Sequence, residues 1–191
     1  VLARRVNESA AELSRDHPGR FGFFAGLPLP DLEGSLVELD HACDVLHANG
    51  VVLMSNAGGL YPGEPSWEPL WRALNERSAV VLLHPTSPPQ WRQVAQGGEL
   101  PLLGDRLDHF RRTFAPDSLP SVTPQLENLW YDVAGTPDAV AGDRVLYGSD
   151  YCFTPADAIR RQLEKLDARF DGWRERVRAN AQRLVGNKVA A

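Results

Sequence analysis

The chain has 191 residues, 43% hydrophobic and 24% charged, an ordinary globular balance with length enough for one sizeable core or for part of a larger one. Its formal net charge is -5 with both signs interspersed, so no basic stripe suggests nucleic acid and no polybasic cluster suggests an anionic membrane. Two cysteines, Cys43 and Cys152, make no disulfide framework and suit a reducing cytoplasm, and no apolar run nears the roughly 18 residues of a membrane span.

The first stretch is polar and helical in pattern. Val6, Ala10 and Leu13 at helical spacing predict a helix over 2–16, not a signal peptide. The first residue is not Met, so the chain is expected to begin inside a longer protein. "FGFFAGLPL" (21–29) reads as a strand closed by prolines. Asp31 is placed to cap the next helix, whose stripe is Leu36, Leu39, Cys43 and Leu46 and which Asn49-Gly50 should stop. "GVVLMS" (50–55) has the short apolar run of a strand buried on both faces. After the Gly/Pro-rich loop 56–65, Ser66 could cap a helix carrying Trp67, Leu70, Trp71 and Leu74, read as a core stripe. "AVVLLHP" (79–85) is the next strand.

The rhythm then fails. "TSPPQWRQVAQGG" has no strand signal, and "ELPLLGDRLDHFRRTF" reads as a turn and helix, with His109 on its solvated face. "NLWYDVAG" (128–135) and "DRVLYGSD" (143–150) are strand-like with little between them. Trp130 and Tyr131 flank Asp132, where alternation should turn one ring inward. Two stripes close the chain: Ile159, Leu163, Leu166 and Phe170, then Trp173, Val177 and Leu184.

Strands alternating with amphipathic helices imply βαβ units and a parallel sheet, in a doubly wound fold or a barrel. The barrel is favoured. The apolar strands end in Ser55-Asn56, His84, Asp132 and Ser149-Asp150, and barrels gather their chemistry at strand C-termini. No Gly-rich phosphate fingerprint follows any strand. His84 closes an apolar run immediately before Pro85, so it is either a satisfied core histidine or a metal ligand at a barrel mouth. Asp150 follows a Gly-Ser step at another strand end, either as a turn residue or as the second member of a metal site. Asn56 opens a loop that would overlook such a pocket or would be an ordinary turn. His17, His41 and His47 lie away from strand ends.

In order along the chain, "HPGRFGFFAGLPLPD", "LHANGVVLMSN", "EPLWRALNERSAVVLLHP", "GGELPLLGDRL", "LWYDVAG", "DRVLYGSDY" and "RANAQRLVG" resemble the metal-dependent amidohydrolase superfamily. The resemblance is to its branch of aminocarboxymuconate-semialdehyde, salicylate and resorcylate decarboxylases. It implies an α/β fold, a (β/α)8 barrel of which residues 1–191 are the C-terminal part of a single domain. It implies one divalent metal, usually zinc, with His84 matching the His-Pro ligand and Asp150 matching the Gly-Ser-Asp ligand. The activity implied is decarboxylation of an aromatic or muconate-like carboxylic acid, a small-molecule substrate met by Asn56 near the metal. Asp150 is a ligand and a proton acceptor in that scheme. A cytoplasmic homo-oligomer, dimer or tetramer, is expected.

The departures are specific. The first-strand metal pair lies before the start of the chain. The family's strand-six His-x-Gly-Gly-x-x-Pro pattern meets Gly97-Gly98 and Pro101 here, but Ala95 stands at the histidine position, and no strand precedes it. The helix between the last two strands is lost near Pro137-Asp138, and Cys152 stands where proline is common, as a ligand or as a buried inert thiol. These shortfalls predict that the sequence skips residues near 90–96 and 137–138. Two rival functions follow: hydrolysis of a lactone or amide on the same metal site, and a non-catalytic protein lacking the full site.

Overall fold

The structure, a computed structural model, describes residues 2–84, 86, 129–132 and 143–185. Each apolar run up to His84 becomes a strand. β1 (Phe24–Gly26), β2 (Gly50–Met54) and β3 (Val81–His84) form a parallel sheet in the order β1-β2-β3. Helices cross between them: α1 (Leu2–Asp16) precedes β1, α2 (Leu32–Asp40) joins β1 to β2, and α3 (Glu68–Glu76) joins β2 to β3. Ala25, Leu39, Ala42, Val51, Leu53, Trp67, Leu70 and Leu74 are buried between sheet and helices.

The chain divides into two compact units, Val1–Ala95 with Leu184–Ala191, and Gln96–Arg183. In the second, β4 (Tyr131–Asp132) and β5 (Val145–Leu146) pair in parallel. α4 (Ala156–Arg169) and α5 (Trp173–Val185) follow, and Val145, Leu166 and Trp173 make a small core with Tyr147, Leu163, Phe170 and Val177 against it. The joins expected near 90–96 and 137–138, the expected helix with His109, Ala95, and Gly97-Gly98 with Pro101 lie outside the described residues.

Several local expectations are corrected. α1 has the predicted bounds, yet Val6 and Leu13 are exposed while Asn7 and Ala11 are buried, one residue further round the helix. The cause is the Asn7 amide: its Nδ2 donates to Gly26 O at 2.9 Å and its Oδ1 accepts from Gly26 N–H at 2.9 Å, so Asn7 faces the sheet. Asp31 caps α2 as expected, accepting from Gly34 N–H at 3.0 Å. That helix ends in a π turn, His41–Val45, and its left-handed terminator is His47 at φ 57°, ahead of Asn49-Gly50. Gly50 instead begins β2, where a Cβ would run into the Val80 carbonyl and the Phe24 ring. Ser66 caps nothing: a 3-10 turn, Pro65–Trp67, leads into α3 with Pro65 at its start. Trp67 is core, as read, and Trp71 packs beside it with its indole N–H on Pro62 O at 2.7 Å.

β3 is less covered than β2. A parallel strand buried on both faces needs covering elements on each. Among the described residues β3 has one strand neighbour, and Leu82 and Leu83 are 41% and 51% exposed. Trp130 and Tyr131 are both half-buried, so alternation does not separate them; Arg144 and Arg183 stand 5.9 and 5.6 Å from the Trp130 ring.

Candidate metal centre

In a parallel sheet the C-terminal strand ends lie side by side, so register decides which side chains meet. Met54 lies opposite His84, so Ser55 and Asn56 leave β2 where His84 ends β3. Ser55 ties the two ends together. Its N–H donates to His84 O at 2.9 Å; its Oγ accepts from Thr86 N–H at 2.9 Å and donates to Thr86 O at 3.2 Å. One hydroxyl thus bonds both backbone groups of Thr86. His84 is exposed at the strand terminus. Asn56 is half-buried beside it and enters a tight turn closed by Ala57 and Leu60. Gly58 and Gly59 supply the positive φ that this turn requires.

The second unit builds its strand end differently. Asp132 ends β4, and its Oδ1 accepts from Gly148 N–H at 2.9 Å, just beyond β5. A Cβ at Gly148 would collide with that carboxylate, so the close approach needs glycine. Two residues on, Asp150 is exposed and left-handed at φ 53°, a conformation that Asp tolerates better than most residues. Its carbonyl accepts from Phe153 N–H at 3.0 Å and Thr154 N–H at 2.8 Å, and its Oδ2 accepts from Thr154 Oγ1 at 3.0 Å. Burial, and next the Asp132 charge, push the Tyr147 phenol up, against the smaller opposing pull of Arg174. Cys152 is exposed rather than buried and inert, between the exposed rings of Tyr151 and Phe153.

His84 belongs to the first unit and Asp150 to the second. An imidazole nitrogen and a carboxylate oxygen are each suitable donors for a borderline divalent ion; His84 is exposed at the end of β3 and Asp150 is exposed four residues beyond β5. Two donors do not complete a site, and among the described residues no group of three His, Cys, Asp or Glu is placed to hold a metal. The sequence reading missed Ser55 and Thr154 as supports. A hydroxyl residue directly after an apolar strand, or four residues after the Asp of a turn, is the signal that was there to find.

Parallel strands joined by helices define an α/β protein. The family is the amidohydrolases: the Amidohydrolase family model matches residues 2–186, and the chain belongs to it. It is 28% identical over 232 residues to the decarboxylase yanB of Aspergillus niger, covering 87% of this chain and 62% of that one. It is 43% identical over 91 residues to the 6-methylsalicylic acid decarboxylase of Penicillium expansum, covering 46% of this chain and 28% of that one. The chain therefore spans less than two thirds of the length of either relative. The first alignment is longer than the 191-residue chain while using 87% of it, so the relative carries residues within the matched region that have no counterpart here. A solved amidohydrolase II structure superposes with a TM-score of 0.80 at 25% identity, covering 96% of this chain and 76% of that one. A dihydroxybenzoic acid decarboxylase from Polaromonas, solved with bound manganese, shares the fold with a TM-score of 0.78 at 20% identity, covering 97% and 75%. Among the described residues no helix is long and apolar enough to cross a membrane.

Proposed function

We propose that the complete protein is a metal-dependent decarboxylase of an aromatic or muconate-like carboxylic acid. The reading places the chain as the C-terminal part of a (β/α)8 barrel that uses one divalent ion, zinc or manganese, with His84 and Asp150 as candidate ligands. What supports it is His84 at the end of β3, its carbonyl accepting from Ser55 N–H at 2.9 Å, and Asp150 in the segment after β5, its carboxylate accepting from Thr154 Oγ1 at 3.0 Å. The named activities of the decarboxylase relatives supply the reaction type. Two exposed or half-exposed thiols fit a cytoplasmic location.

Decarboxylation breaks the bond between the ring carbon and the carboxylate, releases carbon dioxide, and puts a proton on that carbon. A bound divalent ion supplies Lewis acidity toward the substrate's carboxylate and adjoining oxygen. His84 and Asp150 would be ligands to such an ion, and the Asp150 carboxylate would be the group to hold and pass a proton. Asn56, on the loop after β2, would donate to a substrate oxygen in this reading.

The test is carbon dioxide release against ring opening across a panel of 2-hydroxybenzoates, a muconate semialdehyde and simple lactones, with bound metal counted in parallel. Carbon dioxide release by a protein holding about one divalent ion per chain, lost in His84→Ala and Asp150→Asn, is the expected outcome. Ring opening alone would move the assignment to hydrolysis, and a folded protein that binds no divalent ion would refute a metal-dependent reaction altogether.

A further inference from the structure

Alternate residues of a strand face opposite sides of its sheet, and in-register partners on parallel neighbours share a side. Val51 and Leu53 of β2, with Ala25 of β1, are buried in one core with Leu39, Leu70 and Leu74 of the helices. Gly50, Val52 and Met54 therefore face the other way. Phe24 marks that side: it pairs in register with Gly50, and its ring lies where a Gly50 Cβ would point. Register then sets Leu82 beside Val52 and His84 beside Met54. The strip is apolar from Phe24 through Val52 and Leu82 to Met54, and it ends at His84. Leu82 and Met54 keep much of their apolar surface open, 41% and 46% exposed. Met54 thus offers a flexible, polarizable thioether one strand spacing, about 4.8 Å, from the His84 backbone.

We propose that Met54 is a specificity-determining residue: its thioether packs on the ring of an aromatic acid and, with Val52 and Leu82, selects alkyl over polar ring substituents. The inference rests on the reading of the complete protein as a decarboxylase of such acids. Sulfur makes favourable contacts with aromatic rings, at about 5 Å from the ring. A methyl group laid on this strip gains apolar contact, whereas a hydroxyl or a second carboxylate gives up water to apolar side chains. Differences of this kind discriminate substrates by about 10–200-fold.

The experiment measures carbon dioxide release by the complete protein from methyl- and hydroxyl-substituted 2-hydroxybenzoates, compared position by position around the ring. Wild type, Met54→Leu, Met54→Ala and Met54→Gln are assayed, each with its urea midpoint. Wild type should favour the methylated acid at one ring position or more. Met54→Gln should lower that methyl-to-hydroxyl ratio of kcat/KM by about tenfold or more, and Met54→Leu should stay within about threefold of wild type. The change should fall on KM rather than kcat, because a contact to the ring holds substrate and transition state alike. A purely structural methionine would move the urea midpoint and leave the ratio alone. If the glutamine variant does not fold, Met54→Thr carries the same expectation. A ratio within about threefold of wild type in the glutamine and alanine variants at every position, with carbon dioxide still released, would overturn the role of Met54 alone. So would a leucine variant as impaired as glutamine, or a wild type that favours the hydroxylated acids throughout. A wild type that releases no carbon dioxide from any member would overturn the decarboxylase reading, and the role of Met54 with it.

Discussion

Replacing Asn7 by alanine tests whether β1 is held by a helix amide. Asn7 is 1% exposed and makes three hydrogen bonds: both backbone groups of Gly26, each at 2.9 Å, and Glu38 Oε1 at 2.7 Å. Glu38 is itself buried and receives Arg4 Nε on its other oxygen at 2.7 Å. The two neutral bonds contribute about 1 kcal/mol each and the one to the carboxylate about 1.5–3 kcal/mol. Simple addition gives about 4 kcal/mol, which overstates the loss because the bonds share one side chain and Arg4 still pairs with Glu38. The expected destabilisation is about 3 kcal/mol, in the range of broken buried networks. With a urea slope of about 1–3 kcal/mol/M the midpoint should fall by roughly 1–3 M at constant slope. Fluorescence of Trp67 and Trp71, which pack in the same unit, reports the transition. Asn7→Asp keeps the acceptor for Gly26 N–H but sets a second carboxylate against Glu38, so at pH 7 it should be at least as damaging as alanine. A loss under about 1 kcal/mol in Asn7→Ala would mean that water replaces the amide at no cost, and the account of β1 would be wrong.

Gly148→Ala should cost about 1–3 kcal/mol, because the new Cβ drives the Asp132 carboxylate off the Gly148 N–H. Adding Asp132→Ala to it should recover part of that loss in denaturant unfolding; a fully additive pair would exclude the clash. Asp167, at the end of α4, is held below the usual carboxylate range by hydrogen bonds from Arg174 and then Trp173 of α5. A carboxyl whose folded pKa is depressed contributes stability above its unfolded value and loses it as pH falls through the folded one. The melting-temperature deficit of Asp167→Asn should therefore be present at neutral pH and shrink below the ordinary carboxylate value of about 3.9, and a deficit constant with pH would refute the linkage.

Periodicity made the elements legible, because apolar residues repeat and helices and strands bury them at their own periods. The bounds of α1, the run that became β2, and the stripes Leu163-Leu166-Phe170 and Trp173-Val177 could all be read that way. His84 was legible as the end of a strand, since it closes an apolar run before a proline. The polar residues that hold strand ends carry no such period. Asn7 lies one place off the apolar stripe of α1, and Asn49 read as a helix stop while its Oδ1 accepts from Phe23 N–H at 3.0 Å, ahead of β1. Asn180 sits inside the last stripe, 2% exposed, and donates to Val145 O at 2.8 Å. These three asparagines solve one problem. Strands of two or three residues leave backbone groups beyond the ladder, and a buried unpaired group costs about 1–3 kcal/mol. An amide carries a donor and an acceptor on one short side chain, so it can satisfy whichever group the strand leaves over. Asn49 before β1 and Asn7 after it fix a three-residue strand at both ends, and the neighbouring ladder then sets where β2 and β3 stop. The position of His84 thus depends on amides that hydrophobic pattern could not reveal.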